Sequence, residues 1–359
     1  MTRTVEICIP VRNEEQRIES VLCALSAQSF KDFAVHIYDN ASDDRTVDLA
    51  RGFQGALDLK ICTRTRNIGQ NSNINSSFAN CTSPYIALLS GNDIVAENYL
   101  EVLLDRLEAN PGASCAYAKQ IQLDAEGGAS AKQFCSSLTE DDAVDRACKS
   151  IAIYEAQSQF FSLYRRSVLE RVQPQRFRFG GDNVMACEVA LYGKVLYTDE
   201  TSMTCSASPG SESSRTRFLH LVKLFSLDWQ RGLPVNSSLG RFEQVTPTID
   251  MFHAHLDMFR LADIPHEERE RLVVHGARAL LRRYGRYIDA DIGHVIQVLR
   301  AIAELSPLGN LLGHVLLFHA LQKANECLLL VHSSELIEIR ERLSRLAVSG
   351  REFRALSAV

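Results

Sequence analysis

No two of the ten cysteines, scattered from Cys8 to Cys327, stand as C-x-x-C or fall at a regular spacing. Neither a zinc site nor a disulfide framework is therefore expected, and a reducing cytoplasm is the compartment that fits. Positive charge is also scarce: 39 Lys and Arg against 44 Asp and Glu leave a formal net charge of −5. That balance argues against general nucleic-acid binding, which concentrates basic residues on phosphate. Long apolar runs are missing too. The opening MTRTVEICIPVRNEE meets charge too early for a signal peptide. The most apolar later run, Leu311 to Leu321, carries two histidines and falls short of the roughly 20 residues that span a bilayer. No membrane crossing is expected. Finally, no G-x-G-x-x-G follows the first strand pattern and no G-x-x-x-x-G-K-[ST] occurs, which weighs against Rossmann dehydrogenases and P-loop enzymes.

What is present is an ordinary globular composition, 46% hydrophobic and 23% charged over 359 residues, long enough for two domains or one elaborated domain. VEICIP alternates like a strand, Ile18, Val21, Leu22 and Leu25 recur at helical spacing, and DFAVHIYDN reads as a second strand. DDRTVDLARGF, LKICTR, NSNINSSFANC and PYIALLS continue as helix, strand, helix, strand. This rhythm predicts a parallel sheet with helices on both faces. Ligands of such sheets bind at the carboxyl ends of the strands, so the turns PVRNEE, YDNASDD and SGND are expected to face one crevice. Leu100, Leu103, Leu104 and Leu107 mark the next helix, GASCAYAKQIQLD a strand with AEGGAS as its turn, and FRFGGDNVMACEVALYGKVLYTDE a turn, a helix, a stop at Gly193 and a strand. Composition shifts at the Ser, Pro and Gly cluster SASPGSESSR, and beyond it the pattern is helical, with Val295, Val298, Leu299 and Ile302 as one apolar stripe. The expected boundary lies near residue 215, with domains 1–214 and 215–359.

IPVRNEEQRIESVLCALSAQ, IYDNASDDRTVDLA and RNIGQNSNINSSFANCTSPYIALLSGND, in that order and spacing, resemble the GT-A nucleotide-sugar fold of the family 2 glycosyltransferases. The resemblance covers Val5 to about Leu107, with a further segment at Asp182. It implies a GT-A α/β fold, ahead of the helical region that the pattern reads as an accessory domain, and transfer of a sugar with inversion from a nucleotide-sugar donor, UDP-linked first, with dTDP- and GDP-linked donors left open by Asp39 alone. Position by position, it implies that Pro10, Val11, Arg12, Asn13 and Glu14 line the nucleotide pocket. Asp39 would accept the imide N–H of the base. Arg66, Asn67 and Gly69, followed by Asn75, continue the pocket, with Asn92 beside the ribose. YDNASDD is also good helix-capping sequence, and the two roles are compatible.

SGND falls where the family carries its D-x-D motif, which holds a divalent cation against the diphosphate. Ser90 and Asn92 stand where acids are common, so Asp93 is the remaining metal candidate and a weakly held Mn²⁺ or Mg²⁺ the implied cofactor. A degenerate motif in a non-catalytic nucleotide-sugar binder is the alternative; a nucleotidyltransferase would want glycines that PVRNEEQRI lacks. The resemblance makes Asp182 the base that takes the acceptor proton, with N-capping as its other reading, and leaves Glu188 as a surface or supporting acid.

Arg64 and Arg66, or Arg215 and Arg217, could neutralise the leaving diphosphate. Arg271, His275, Arg278 and Arg282 share a helical face, either solvated or meeting anionic headgroups in peripheral membrane contact. The histidines, His220 included, lack metal-ligand spacing, and Cys187 and Trp229 read as packing residues. The acceptor, whether a polysaccharide, a lipid-linked saccharide, a small molecule or a protein, is not legible.

Overall fold

The computed structural model describes residues 3–123, 129–131, 135–153, 159–174, 180–206 and 247–303. The chain divides into two compact units, Met1–Phe177 with Gly181–Ser211, and Arg178–Gly180 with Glu212–Val359. Arg215, Arg217, His220, Trp229 and the Leu311 to Leu321 run lie outside the described residues, as do the side chains of the stripe from Val295 to Ile302.

The first unit opens as the sequence pattern predicts. Strands β1 (Val5–Val11), β2 (Phe33–Asp39), β3 (Leu59–Thr63) and β4 (Tyr85–Leu88) alternate with helices α1 (Ile18–Ser26), α2 (Thr46–Arg51) and α3 (Gln70–Ala79). There follow β5 (Asp93–Val95), α4 (Tyr99–Glu108), β6 (Ala113–Leu123), β7 (Ala129–Ala131), α5 (Ala143–Ile153), β8 (Leu163–Arg165), α6 (Arg166–Leu169), α7 (Gly181–Tyr192) and β9 (Lys194–Ser206). Among the described residues these strands form one sheet ordered β3-β2-β1-β4-β8-β6-β9-β5, with β7 pairing β6.

The sheet is mixed rather than parallel. β8 enters antiparallel between β4 and β6, and β5 runs antiparallel to β9. Both intruders are three residues long, too short to carry a period of their own, so QFFSLYRRSVLER and SGND show no strand in the pattern.

Side-chain alternation along β1 splits the core into two layers. Val5, Ile7, Ile9 and Val11 pack with Ile18, Leu22 and Leu25 of α1 and with Leu100, Leu103, Leu104 and Leu107 of α4. Cys8 faces the opposite layer, with Ile74 of α3, Ile86 and Leu88 of β4, and Met185 and Val189 of α7. Each fully buried Leu or Ile contributes about 1.5–3 kcal/mol, so a strand covered on both faces is fixed in register. That register sets the ends of β1, β2 and β3 level: Val11 pairs with Asp39, and Asp39 with Thr63.

Among the described residues the second unit contains α8 (Pro247–Leu261) and α9 (His266–Ala303). They pack through Phe252, Leu256 and Phe259 on one side and Leu272, Ala277 and Leu280 on the other. On α9, Arg271 is half-buried while His275, Arg278 and Arg282 are exposed. No helix among the described residues is long and apolar enough to cross a membrane.

Candidate functional site

The turns after β1 and β2 are locked together by side-chain hydrogen bonds. Asn13 adopts φ +58°, a left-handed conformation that asparagine tolerates better than most residues. Its backbone N–H donates to Ser42 Oγ at 3.0 Å and its Oδ1 accepts from the Asp43 N–H at 3.1 Å. Ser42 in turn donates its own N–H to the Asp39 carboxylate, at 3.2 and 3.3 Å from the two oxygens, and its hydroxyl to Oδ1. Glu14 N–H donates to Thr46 Oγ1 at 2.7 Å. Asp39, only 2% exposed, is thus held at the mouth of the sheet between Val11 and Thr63. Pro10 and Glu14 are half-buried, Val11 is buried, and Arg12 and Asn13 are exposed at the rim. Burial raises the Glu14 carboxyl above its ordinary range, partly offset by Arg17.

The third turn is tied to the second through Asn40, whose Nδ2 donates to Asn67 Oδ1 at 2.8 Å and whose Oδ1 accepts from the Ile68 N–H at 2.9 Å. Asn67 Oδ1 also accepts from the Gly69 N–H, and Gly69, at φ +87°, turns the chain into α3. Arg64 is aimed by two contacts: its N–H meets the Asp39 carbonyl at 3.0 Å and its Nε the Asn73 Oδ1 at 3.0 Å. Arg66 and Asn67 are exposed, and Asn75 is half-buried on α3.

The fourth turn leans on the first. A Cβ at Gly91 would lie 2.7 Å from Val11 Cγ1 and 3.1 Å from Glu14 Cγ, so only glycine fits there. Ser90 Oγ donates to Asn92 Oδ1 at 2.5 Å, and Asn92 is half-buried. Asp93 lies differently from its neighbours. It is 4% exposed and shares its side of β5 with core residue Val95, whereas Ile94 between them is 39% exposed. Its charge helps raise the buried Tyr99 hydroxyl. Two neutral oxygens bonded to each other and one carboxylate turned toward the core do not fit a divalent cation held by the protein, which needs hard, free oxygen ligands. Among the described residues no three His, Cys, Asp or Glu cluster as a metal site.

Four strand-end turns interlocked over a mixed sheet can hold a flat base, a ribose and a diphosphate, and known proteins match this region. A sequence model of Glycosyl transferase family 2 matches residues 6–173. The chain carries a family 2 glycosyltransferase domain. A Campylobacter jejuni protein named GalNAc(5)-diNAcBac-PP-undecaprenol beta-1,3-glucosyltransferase is 22% identical over 168 residues, 46% of this chain and 53% of that protein. Glycosyltransferase AglE of Haloferax volcanii is 30% identical over 100 residues, 27% of this chain and 33% of that protein. The chain thus spans about half or less of the length of these relatives. Among solved structures, S. aureus TarS superposes with a TM-score of 0.56 at 13% identity, covering 91% of this chain and 54% of TarS, and the fold is GT-A.

Asp182, beyond the residues that the family model matches, lies inside the first turn of α7, half-buried, not ahead of the helix as a cap. At the other end of α7, buried Arg146 of α5 donates to the carbonyls of Ala190 at 2.6 Å and Leu191 at 3.2 Å, a cation on the helix C-terminus. Of the two sequence readings of Glu188, a surface acid or a supporting one, the structure excludes the first. The residue is 1% exposed, its Oε2 accepting from the Gln173 N–H at 3.0 Å and its Oε1 from the Tyr192 hydroxyl at 3.3 Å. Burial pushes its carboxyl up to about 7 against those two hydrogen bonds.

Sequence reasoning missed Ser42, Asn40 and Asn73 as parts of the site. The first two have a signal, since Asp-x-x-Ser and Asn turns bond their own backbone. Asn73 has none, because its partner Arg64 lies across a loop.

Proposed function

We propose that this chain moves a sugar from a nucleoside diphosphate donor, UDP-linked, to an acceptor hydroxyl with inversion at the anomeric carbon. The observation that carries the reading is the interlocking of the turns at Asn13, Asp39, Asn67 and Gly91 within a family 2 domain. The Asp39 side chain already receives Ser42 on one edge and keeps lone pairs for the base imide N–H. The acceptor oxygen attacks the anomeric carbon from the face opposite the diphosphate. Asp182 takes the proton of that hydroxyl as the new C–O bond forms, and the bond to the diphosphate oxygen breaks with its electron pair leaving on the nucleotide. Arg64, already aligned by Asn73, and Arg66 at the rim are the cationic side chains of these turns that suit a diphosphate. The second unit shapes acceptor recognition, because all nucleotide signatures lie before it. A saccharide carried on a lipid diphosphate is the acceptor class that the name of the Campylobacter jejuni relative favours.

The test is a panel of UDP-, dTDP- and GDP-sugars assayed for nucleoside diphosphate release. One donor is expected to be consumed, and Asp182→Asn is expected to lower that rate by about 10²–10⁴-fold with nucleotide affinity kept. Release from no donor, or unchanged release by Asp182→Asn, would overturn the reading.

A further inference from the structure

The chain as a whole is acidic, with a formal net charge of −5, yet its positive charge is not spread evenly. From Arg271 to Ile288 the sequence RLVVHGARALLRRYGRYI carries five arginines and one histidine, and neither Asp nor Glu. The acids stand outside this run, Glu267, Glu268 and Glu270 before it and Asp289 after it. The whole run belongs to α9, and helical geometry sorts it. At about 100° per residue, Arg271, Val274, His275, Arg278 and Arg282 fall within about 100° of arc, on one face. Leu272, Ala277 and Leu280 fall on the other side, buried against α8. On the first face His275, Arg278 and Arg282 are exposed, and Val274 is one of the few large apolar side chains left open, at 38%. Arg278 and Arg282 are like charges at i, i+4, which repel along a helix, and no acid lies between them on that face to offset them. An external anion would.

We propose that this face of α9 is a docking surface for anionic phospholipid headgroups, which holds the chain at a membrane without inserting a helix into it. The arginine fork matches the oxygens of a phosphodiester. The stretch from Arg271 to Arg282 runs about 16 Å, long enough to meet several headgroups at once. Because the apolar side of α9 is already spent on α8, the helix adsorbs by charge rather than by burying that side, so binding needs anionic lipid and yields to salt. Nucleic acid is the other polyanion such a face could meet. Val274 favours the lipid surface, whose acyl boundary takes an apolar side chain among the cations, as a phosphate backbone does not. The surface does not rest on the readings of Asp39 and Asp182, and it suits an acceptor carried on a lipid.

The experiment sediments the full chain with vesicles of phosphatidylcholine, alone or with a third of phosphatidylglycerol. Wild type is expected to bind the mixed vesicles at least about tenfold better than phosphatidylcholine alone, and to lose most of that binding between about 0.1 M and about 1 M salt. Each basic residue near an anionic surface adds about fivefold to partitioning, so Arg278→Glu with Arg282→Glu should lower it by at least about twentyfold, with circular dichroism and thermal midpoint unchanged. Lys31→Glu with Arg51→Glu puts the same charge change on exposed residues of the first unit and should keep binding within about threefold. If the glutamate pair disturbs the fold, Arg278→Gln with Arg282→Gln and the wild-type salt dependence decide. Equal binding to both vesicles, no binding to either, or an equal loss in the first-unit variant would overturn the inference, as would a single-stranded oligonucleotide bound as tightly as the mixed vesicles. None of these readouts involves nucleotide or turnover, so failure here and failure of the donor reading are distinguishable.

Discussion

Ser42 gives both its backbone N–H and its hydroxyl to the carboxylate of Asp39, while its oxygen receives the N–H of Asn13. One serine thus couples the turn after the first strand to the acid at the end of the second. Removing the hydroxyl leaves the Asn13 N–H and one edge of a buried carboxylate short of a partner. Ser42→Ala is expected to lower stability by about 1–2 kcal/mol in urea denaturation, less than the full value of a charged hydrogen bond because the Ser42 N–H remains. UDP affinity should weaken by up to about tenfold. Wild-type values for both would mean that Asp39 is oriented by the sheet alone.

The approach of Gly91 to Val11 and Glu14 is a matter of space. A methyl group there must displace Val11, whose own position is fixed by the core, so Gly91→Ala is expected to destabilise by about 1–3 kcal/mol. Because the displaced turn carries Asn92, nucleotide binding should suffer with stability. A variant that keeps its thermal midpoint and its UDP affinity would show that the turn yields freely.

Glu188 also makes a statement about stability. Its folded-state value of about 7 lies above the ordinary 4.5 of a glutamate, so the folded chain holds that proton more tightly than the unfolded chain. The contribution is complete below about pH 4.5 and is lost as pH rises through about 7. At about 1.4 kcal/mol per unit of pKa the full change is on the order of 3 kcal/mol. Denaturation of wild type and Glu188→Gln between pH 5 and pH 8 should therefore show wild type losing ground to the glutamine variant as pH rises. Parallel curves would place the Glu188 carboxyl in its ordinary range.

The donor half of the fold was legible because its signals are local. VEICIP and DFAVHIYDN carry strand alternation and end on polar turns, and those turns do lie level at one edge of the sheet. β8 and β5 were not legible, since three residues have no period, and so the antiparallel insertions and the inward side of Asp93 had to come from pairing. In the sequence, SGND shows an acid beside an amide; which of them faces the crevice depends on β5 pairing with the distant β9. Glu188 illustrates the same limit on a helix. Glu188 in GGDNVMACEVALYGK reads as solvent-facing by type, and only the packing of α7 on both α5 and the sheet leaves it no exposed side. Ser42 was half-legible, as capping chemistry without its second partner, Asn13.

The central claim is that Asp39 reads the nucleotide base in a crevice whose fourth turn holds no cation of its own. It is tested most directly by calorimetric titration of UDP into wild type and Asp39→Ala, each with Mn²⁺ and with EDTA. Wild type is expected to bind UDP with affinities that agree within about twofold in the two buffers, since Ser90 and Asn92 are neutral and Asp93 is turned inward. Asp39→Ala is expected to lose about 1.5–3 kcal/mol of binding in both. Wild-type affinity in Asp39→Ala, or UDP binding that vanishes in EDTA, would contradict the account.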